Sequence, residues 1–198
     1  MCSTERILII CTLRAIYKNV VHHLKKTKIH TTKKLEKLVK NLITTDKKTD
    51  CGILGKWNAT VFYIDRKKCW LITNGLTKYN VILTDIKASE LSKIEQIFKD
   101  ALFGQLIYDG IITYFENLNS IIGGLDFLPT DNDRSTTGIQ NQRLEQIDWW
   151  KYEFGSLENM PIKDLTNRMN TSPIHIGKGR KMSDYTNSID EMKKILTE

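Results

Sequence analysis

Between Thr130 and Gln142 the chain reads TDNDRSTTGIQNQ, and here its residue types come closest to a binding or reactive arrangement. Small and acidic residues precede Arg134 and Ser135, directly ahead of a helical pattern. Asp133 or Ser135 at an N-cap would satisfy first-turn N–H groups, and capping alone accounts for both. The other reading is an anion pocket, with Arg134, Ser135 and the helix start holding a phosphate or carboxylate, since the helix dipole and the guanidinium both favour negative charge. Asn141 is its third candidate contact. A second polar stretch, Asp65-Arg66-Lys67-Lys68, falls at a hairpin turn, where polar residues are expected without any function. If the two stretches face each other, Asp65, Asp133, Arg66 and Arg134 become candidates for phosphate-directed catalysis; a lone Asp-Arg pair is otherwise a salt bridge.

Lysine is the other chemistry-bearing residue. The first fifty residues hold twelve Lys and Arg against four Asp and Glu, so this quarter of the chain carries the whole net surplus of +7. Lys33, Lys34, Lys37 and Lys40 fall on the outer faces of an expected helix, either as a solvated surface or as sequence-independent attraction for phosphate backbones. No G-x-x-x-x-G-K-[ST] loop, RNP signature or helix-turn-helix pattern accompanies them, so NTP hydrolysis and sequence-specific reading lack support. Cys2, Cys11, Cys51 and Cys69 show no C-x-x-C spacing and read as free thiols, Cys11 and Cys69 within strands. His22 and His23 are adjacent and point to different helix faces. No metal and no cofactor is expected. No apolar run is long enough to span a membrane, and the opening MCSTERILIICT is too weak for a secretory signal, so a cytoplasmic protein without membrane contact is expected.

The elements that must position these residues follow from periodicity. Arg6–Thr12 reads as a buried strand and Leu13–Leu24 as a helix. TTKKLEKLVKNLI places Leu35, Leu38, Val39, Leu42 and Ile43 at helical spacing, capped by Thr31 or Thr32. Alternation predicts strands at Ala59–Ile64, Cys69–Thr73 and Asn80–Asp85 in an antiparallel meander, with Asn74-Gly75 tolerating positive φ between the last two. A core-facing helix capped by Ser89 follows, then a helical stretch Ile111–Leu118 and a strand ended by Pro129. The helix from about Ser135 to Phe154 turns Ile139, Leu144, Ile147 and Trp150 inward, and Ser188–Leu196 forms the last helix. Trp57, Trp70 and Tyr63 lie on the strands and are mostly core. Trp149 and Trp150 cannot both face inward, which leaves one for a partner or a stacked base. Grouped strands predict a single α+β domain over 1–198, with a central antiparallel sheet of about three to five strands packed by several helices. A lysine-rich helical segment over 13–50 belongs to it.

Three patches, GKWNATVFYIDRKKCWLITN, NDRSTTGIQN and NRMNTSPI, together with the opening ILIICT, resemble the bacterial family filed as domain of unknown function 6933. Asp133 stands where that pattern has Asn, which would set a negative charge beside Arg134, and the lysine-rich segment is a second departure. The resemblance implies fold and site location, and no activity. The expectation is an intracellular binding module that contacts nucleic acid or an acidic or phosphate-bearing partner. Lys33, Lys34, Lys37 and Lys40 would supply attraction, with Arg134, Ser135 and Asn141 as an anion site. Two alternatives stay open: a phosphate-directed enzyme, such as a nuclease or toxin-like nucleotide-modifying protein, and a subunit of a bacterial defence or toxin–antitoxin complex.

Overall fold

The computed structural model describes residues 26–44, 52–111, 113–176 and 184–197. The expected strand Arg6–Thr12 and helix Leu13–Leu24, with Cys2, Cys11, Cys51, His22 and His23, lie outside the described residues. In chain order come β1 (Lys26–Thr31), α1 (Lys33–Leu38) with a 3-10 turn at Lys40–Leu42, β2 (Trp57–Ile64), β3 (Lys67–Asn74) and β4 (Asn80–Leu83). A 3-10 turn at Ala88–Lys93 then leads into α2 (Ile94–Tyr108), followed by α3 (Phe115–Ile122), β5 (Gly124–Leu128) and α4 (Arg134–Phe154). After a 3-10 turn at Leu157–Asn159 come α5 (Ile162–Thr171), the small β6–β7 pair (Pro173–His175, Tyr185–Asn187) and α6 (Ser188–Thr197).

The α+β architecture is the expected one. Five strands form the main sheet in the order β4-β3-β2-β1-β5. The expected meander β2-β3-β4 is antiparallel, and β1 extends it by pairing parallel with both β2 and β5. The sheet is therefore mixed.

β1 is a strand inside the segment 13–50, expected to be helical, and it falls between the two helices expected there. Its sequence KTKIHT alternates burial at every second residue, placing Thr27, Ile29 and Thr31 inward. Thr27 and Thr31 hydroxyls donate to the carbonyls of Ile122 and Leu128, so these β-branched residues serve a pleated position between two strands. Thr32 precedes α1 as expected but makes no side-chain cap.

Alternation gives the sheet two covered faces. Trp57, Ala59, Val61, Trp70 and Ile72 face one core with α1, α2 and α3; Phe62, Ile64, Cys69 and Leu71 face the other with α4 and α5. Trp57 meets Phe98 edge-on at 5.3 Å and Trp70 meets Phe127 at 6.2 Å, contacts that add on the order of 1 kcal/mol each to burial. Burial also pushes the Cys69 thiol up.

Three local expectations shift. Asn74 closes its turn through its side chain, accepting from the Leu76 and Thr77 N–H groups, and the positive φ falls on Lys78 instead of Asn74 or Gly75. Gly75 is needed for close approach: a Cβ there would sit 3.1 Å from the Lys56 carbonyl. Ser89 is not a cap; the Glu90 carboxylate accepts from the N–H of Lys87, three residues earlier and just ahead of the turn. The helix expected over Ile111–Leu118 runs from Phe115 to Ile122 because Ile111 is fully buried in the first core just after Gly110, at φ 76, ends α2.

Candidate functional site

β1 and β5 are neighbours running in the same direction, yet the helices that follow them go to opposite faces of the sheet. α1 packs on the core of Ile29 and Trp57, and α4 packs on the core of Phe62 and Leu71. In open α/β sheets such a divergence opens a crevice beyond the carboxyl ends of the strands, where ligands bind.

The segment leaving β5 is held on both sides. Asp131 accepts from the Asn58 side-chain amide at 3.0 Å, from Lys56 Nζ at 2.5 Å and from the Asp133 N–H at 3.2 Å. Burial pushes the Asp131 carboxyl up, but these donors and the nearby His30 outweigh it and hold its pKa below the usual range. Asn132 takes the left-handed conformation at φ 56, a region asparagine tolerates. Asp133 then caps α4: Oδ1 accepts from the Thr136 N–H and Oδ2 from the Thr136 hydroxyl, with Lys56 Nζ at 3.1 Å. Burial raises the Asp133 pKa less than Thr136 and Lys56 lower it, leaving it at about 2. Between the two carboxylates Lys56 is raised, despite the opposing effect of burial. Beneath them lies Lys78, buried and lowered by desolvation, donating to the Gly75 carbonyl and the Thr136 hydroxyl.

This frame separates the predicted residues into groups. Asp133 is the N-cap and Ser135 is an exposed neighbour that does not line the crevice. Arg134, Thr137, Gly138 and Asn141 share one stripe of α4 at spacings of three and four. They form one wall of an open cleft of about 720 Å³ whose other wall carries Thr32 and Lys33 at the start of α1. Asn141 thus shares the Arg134 face with the helix starting at Arg134 itself. Among the described residues no carboxylate pairs with Arg134, Lys33, Lys34, Lys37 or Lys40, and all five are exposed. The negative charge that Asp133 sets beside Arg134 is turned away toward Lys56 and Thr136.

The Asp65–Arg66 turn is elsewhere. Asp65 and Arg66, at φ 48 and 65, form a two-residue hairpin turn at the far end of β2, and Lys67 and Lys68 already belong to β3. From Asn58 to Asp65 the strand runs about 23 Å, so Asp65 and Arg66 do not meet Asp133 and Arg134. The Asp65 carboxylate accepts from the Leu157 N–H at 2.8 Å, tying the turn to the segment after α4.

Two groups of buried polar residues are not foretold by the sequence patterns. Asp109 accepts from Tyr79 Oη, Gln105, Asn167 and Asn170, while Asn170 also pairs with the Asn80 backbone. Burial and this carboxylate push the Tyr79 hydroxyl well up. The NRMN spacing that puts Asn167 and Asn170 on one helix face was visible, but their partners come from distant elements. The second group is the inner stripe of α4, which carries Thr136, Gln140 and Arg143 ahead of Ile147 and Trp150; Ile139 is only half-buried. Gln140 donates to the Asn58 carbonyl, and Arg143, 3% exposed, reaches Gln146 with its Nε unpaired. Desolvation lowers the Arg143 pKa. Trp150 is buried and Trp149 exposed beside Tyr152.

Residues 28–191 match the family described as Domain of unknown function (DUF6933). The chain belongs to this family. The DUF6933 match takes in both walls of the crevice, the Lys56–Asp131–Asp133 frame and the Asp109 cluster. No curated protein and no solved structure matches the chain. Among the described residues, no helix is long and apolar enough to cross a membrane.

Proposed function

We propose that this DUF6933 protein is a binding module for the phosphate backbone of nucleic acid, held in the crevice between the starts of α1 and α4. One observation carries the reading: Lys33 and Arg134 converge on one cleft from two different elements, with Asn141 beside them and, among the described residues, no carboxylate partner for either cation. A guanidinium and an ammonium placed together suit phosphate oxygens, and Asn141 adds a neutral donor. Lys34 and Lys37 on α1 and Lys40 on the turn after it add further exposed positive charge, where each phosphate neutralised contributes affinity irrespective of sequence. Asp131 and Asp133 serve the frame, each already engaged by Lys56, which favours binding over catalysis.

The test is binding of a labelled single-stranded oligonucleotide to the full chain at low salt, with magnesium present and the recovered strand run on a denaturing gel. We expect an intact strand and about tenfold weaker binding by K33A/R134A, with its thermal melt unchanged. Cleavage of the strand would mark the protein as an enzyme. Equal affinity of wild type and variant would remove the crevice from nucleic-acid binding and leave an acidic protein as the ligand to examine.

A further inference from the structure

At the far end of β2, Arg66, Lys67, Lys68 and Lys87 line a second open cleft of about 420 Å³, with Asp65 and Asp85 beside them. Its walls are fixed by the backbone. Arg66 holds its turn at φ 65, and the Ile86 N–H donates to the Lys68 carbonyl at 2.7 Å, tying the chain after β4 to β3. The cations divide by their partners. Glu158 engages Lys67, Asp85 lies 4.0 Å from Lys87, and the Asp65 carboxylate is occupied by the Leu157 N–H. Arg66 and Lys68 have no carboxylate partner among the described residues.

Helix α1 joins this cleft to the phosphate crevice. Thr32 and Lys33 at its start line the crevice, and Leu38 at its end shares a small pocket with Lys68, Trp70 and Lys87. Lys68 is two residues from Trp70 and so points to the same face of the sheet, the one that α1 covers. The separation follows from the strand. The Thr32 N–H donates to the Ala59 carbonyl, and Lys68 lies opposite Tyr63, four residues further along β2, which is about 13 Å. Between Lys33 and Leu38 the helix carries Lys34 and Lys37, both exposed, against one half-buried carboxylate, Glu36.

We propose that the far cleft is a second phosphate site for the same strand, which runs from Lys33 and Arg134 along α1 to Arg66 and Lys68. The inference rests on the phosphate reading above and deepens it, because it makes the ligand a polymer. With one phosphate per about 3.4 Å of a stacked strand, the two clefts stand about four nucleotides apart. A free phosphate or a mononucleotide reaches only one of them. Each cleft offers an uncompensated guanidinium and an uncompensated ammonium, the pair of groups that suits phosphate oxygens without reading a base.

The experiment titrates the full chain with octathymidylate across a salt series, comparing wild type with R66Q/K68Q and K33E/R134E. One strand is expected per chain. R66Q/K68Q is expected to bind about tenfold more weakly at low salt, with a slope of log affinity against log salt shallower by about 1, since roughly 0.7 is lost for each phosphate no longer neutralised. Should its thermal melt fall, R66Q alone, which alters one exposed side chain, is expected to flatten the slope by about 0.7. Wild-type slopes in both variants of the far cleft, with a flattened slope in K33E/R134E, would overturn the second site and leave the crevice reading standing. Two strands per chain at saturation would overturn the shared strand. A slope flattened by R66Q/K68Q but not by K33E/R134E, or no binding of wild type at low salt, would overturn both proposals together.

Discussion

Asp133 links the start of α4 to the sheet through a single carboxylate, and its chemistry fixes a pH dependence. Its pKa is depressed to about 2 by the Thr136 and Lys56 hydrogen bonds, against the opposing effect of burial. A carboxyl lowered on folding contributes stability that is complete above its unfolded value, near 4, and is lost as pH falls from about 4 through about 2. Denaturant unfolding is therefore expected to weaken over that window, and D133A to cost on the order of 1–2 kcal/mol at pH 7 with a flatter acid profile. An unchanged midpoint for D133A would show that the cap and the Lys56 ion pair contribute nothing. Arg143 gives the opposite expectation. It is a buried cation with an unpaired Nε and a neutral partner, so R143M should be neutral or stabilising by about 1 kcal/mol; a destabilisation larger than that would mean the guanidinium has a stabilising role these neighbours do not explain. Asn170, fully buried and joining Asn80 to Asp109, is expected to cost about 2–3 kcal/mol when replaced by alanine, because the Asn80 N–H loses its acceptor. A thermal melt of N170A checks it.

At the scale of elements, α4 joins the binding surface to the core, its outer stripe lining the crevice and its inner stripe packing on β2 and β3. Gly138 interrupts the outer stripe, and a Cβ there would meet nothing within 4 Å. G138A is thus expected to stabilise by about 0.5–1 kcal/mol through the unfolded state. Gly155, which ends the helix at φ 74 with equal space around it, should lose stability when replaced by alanine because the backbone there suits glycine. Opposite signs in paired melts would confirm that conformation and not space decides. Strands β2, β3 and β4 were legible because their apolar residues alternate and short polar turns join them, and α4 was legible from Ile147 and Trp150. β1 was obscured because its outward residues are lysines and a histidine, which blend into the neighbouring charge run, although Thr27, Ile29 and Thr31 carried the strand period. The polar half of the inner α4 stripe was hidden because Thr136 and Gln140 answer to Lys78 and Asn58, whose proximity depends on tertiary structure.

For the whole molecule, the crevice depends on strand direction, and direction is what a one-dimensional reading lacks. Lys33 and Arg134 were each visible as cations near helix starts, about a hundred residues apart in the chain. Only the parallel pairing of β1 with β5, and the departure of their helices to opposite faces, brings them to one cleft. The same topology separates Asp65 and Arg66 from that cleft, at the far end of β2. Lys33 lines this crevice, and Lys34, Lys37 and Lys40 follow it, exposed, on α1 and the 3-10 turn after it. The most direct test is the dependence of oligonucleotide affinity on salt, compared between wild type and K33E/R134E. A plot of log affinity against log salt is expected to be steep for wild type and shallower by about 1–2 in slope for the variant, roughly 0.7 for each phosphate of a single strand that is no longer neutralised. Parallel lines for the two proteins, or no salt dependence in either, would contradict a phosphate site between α1 and α4.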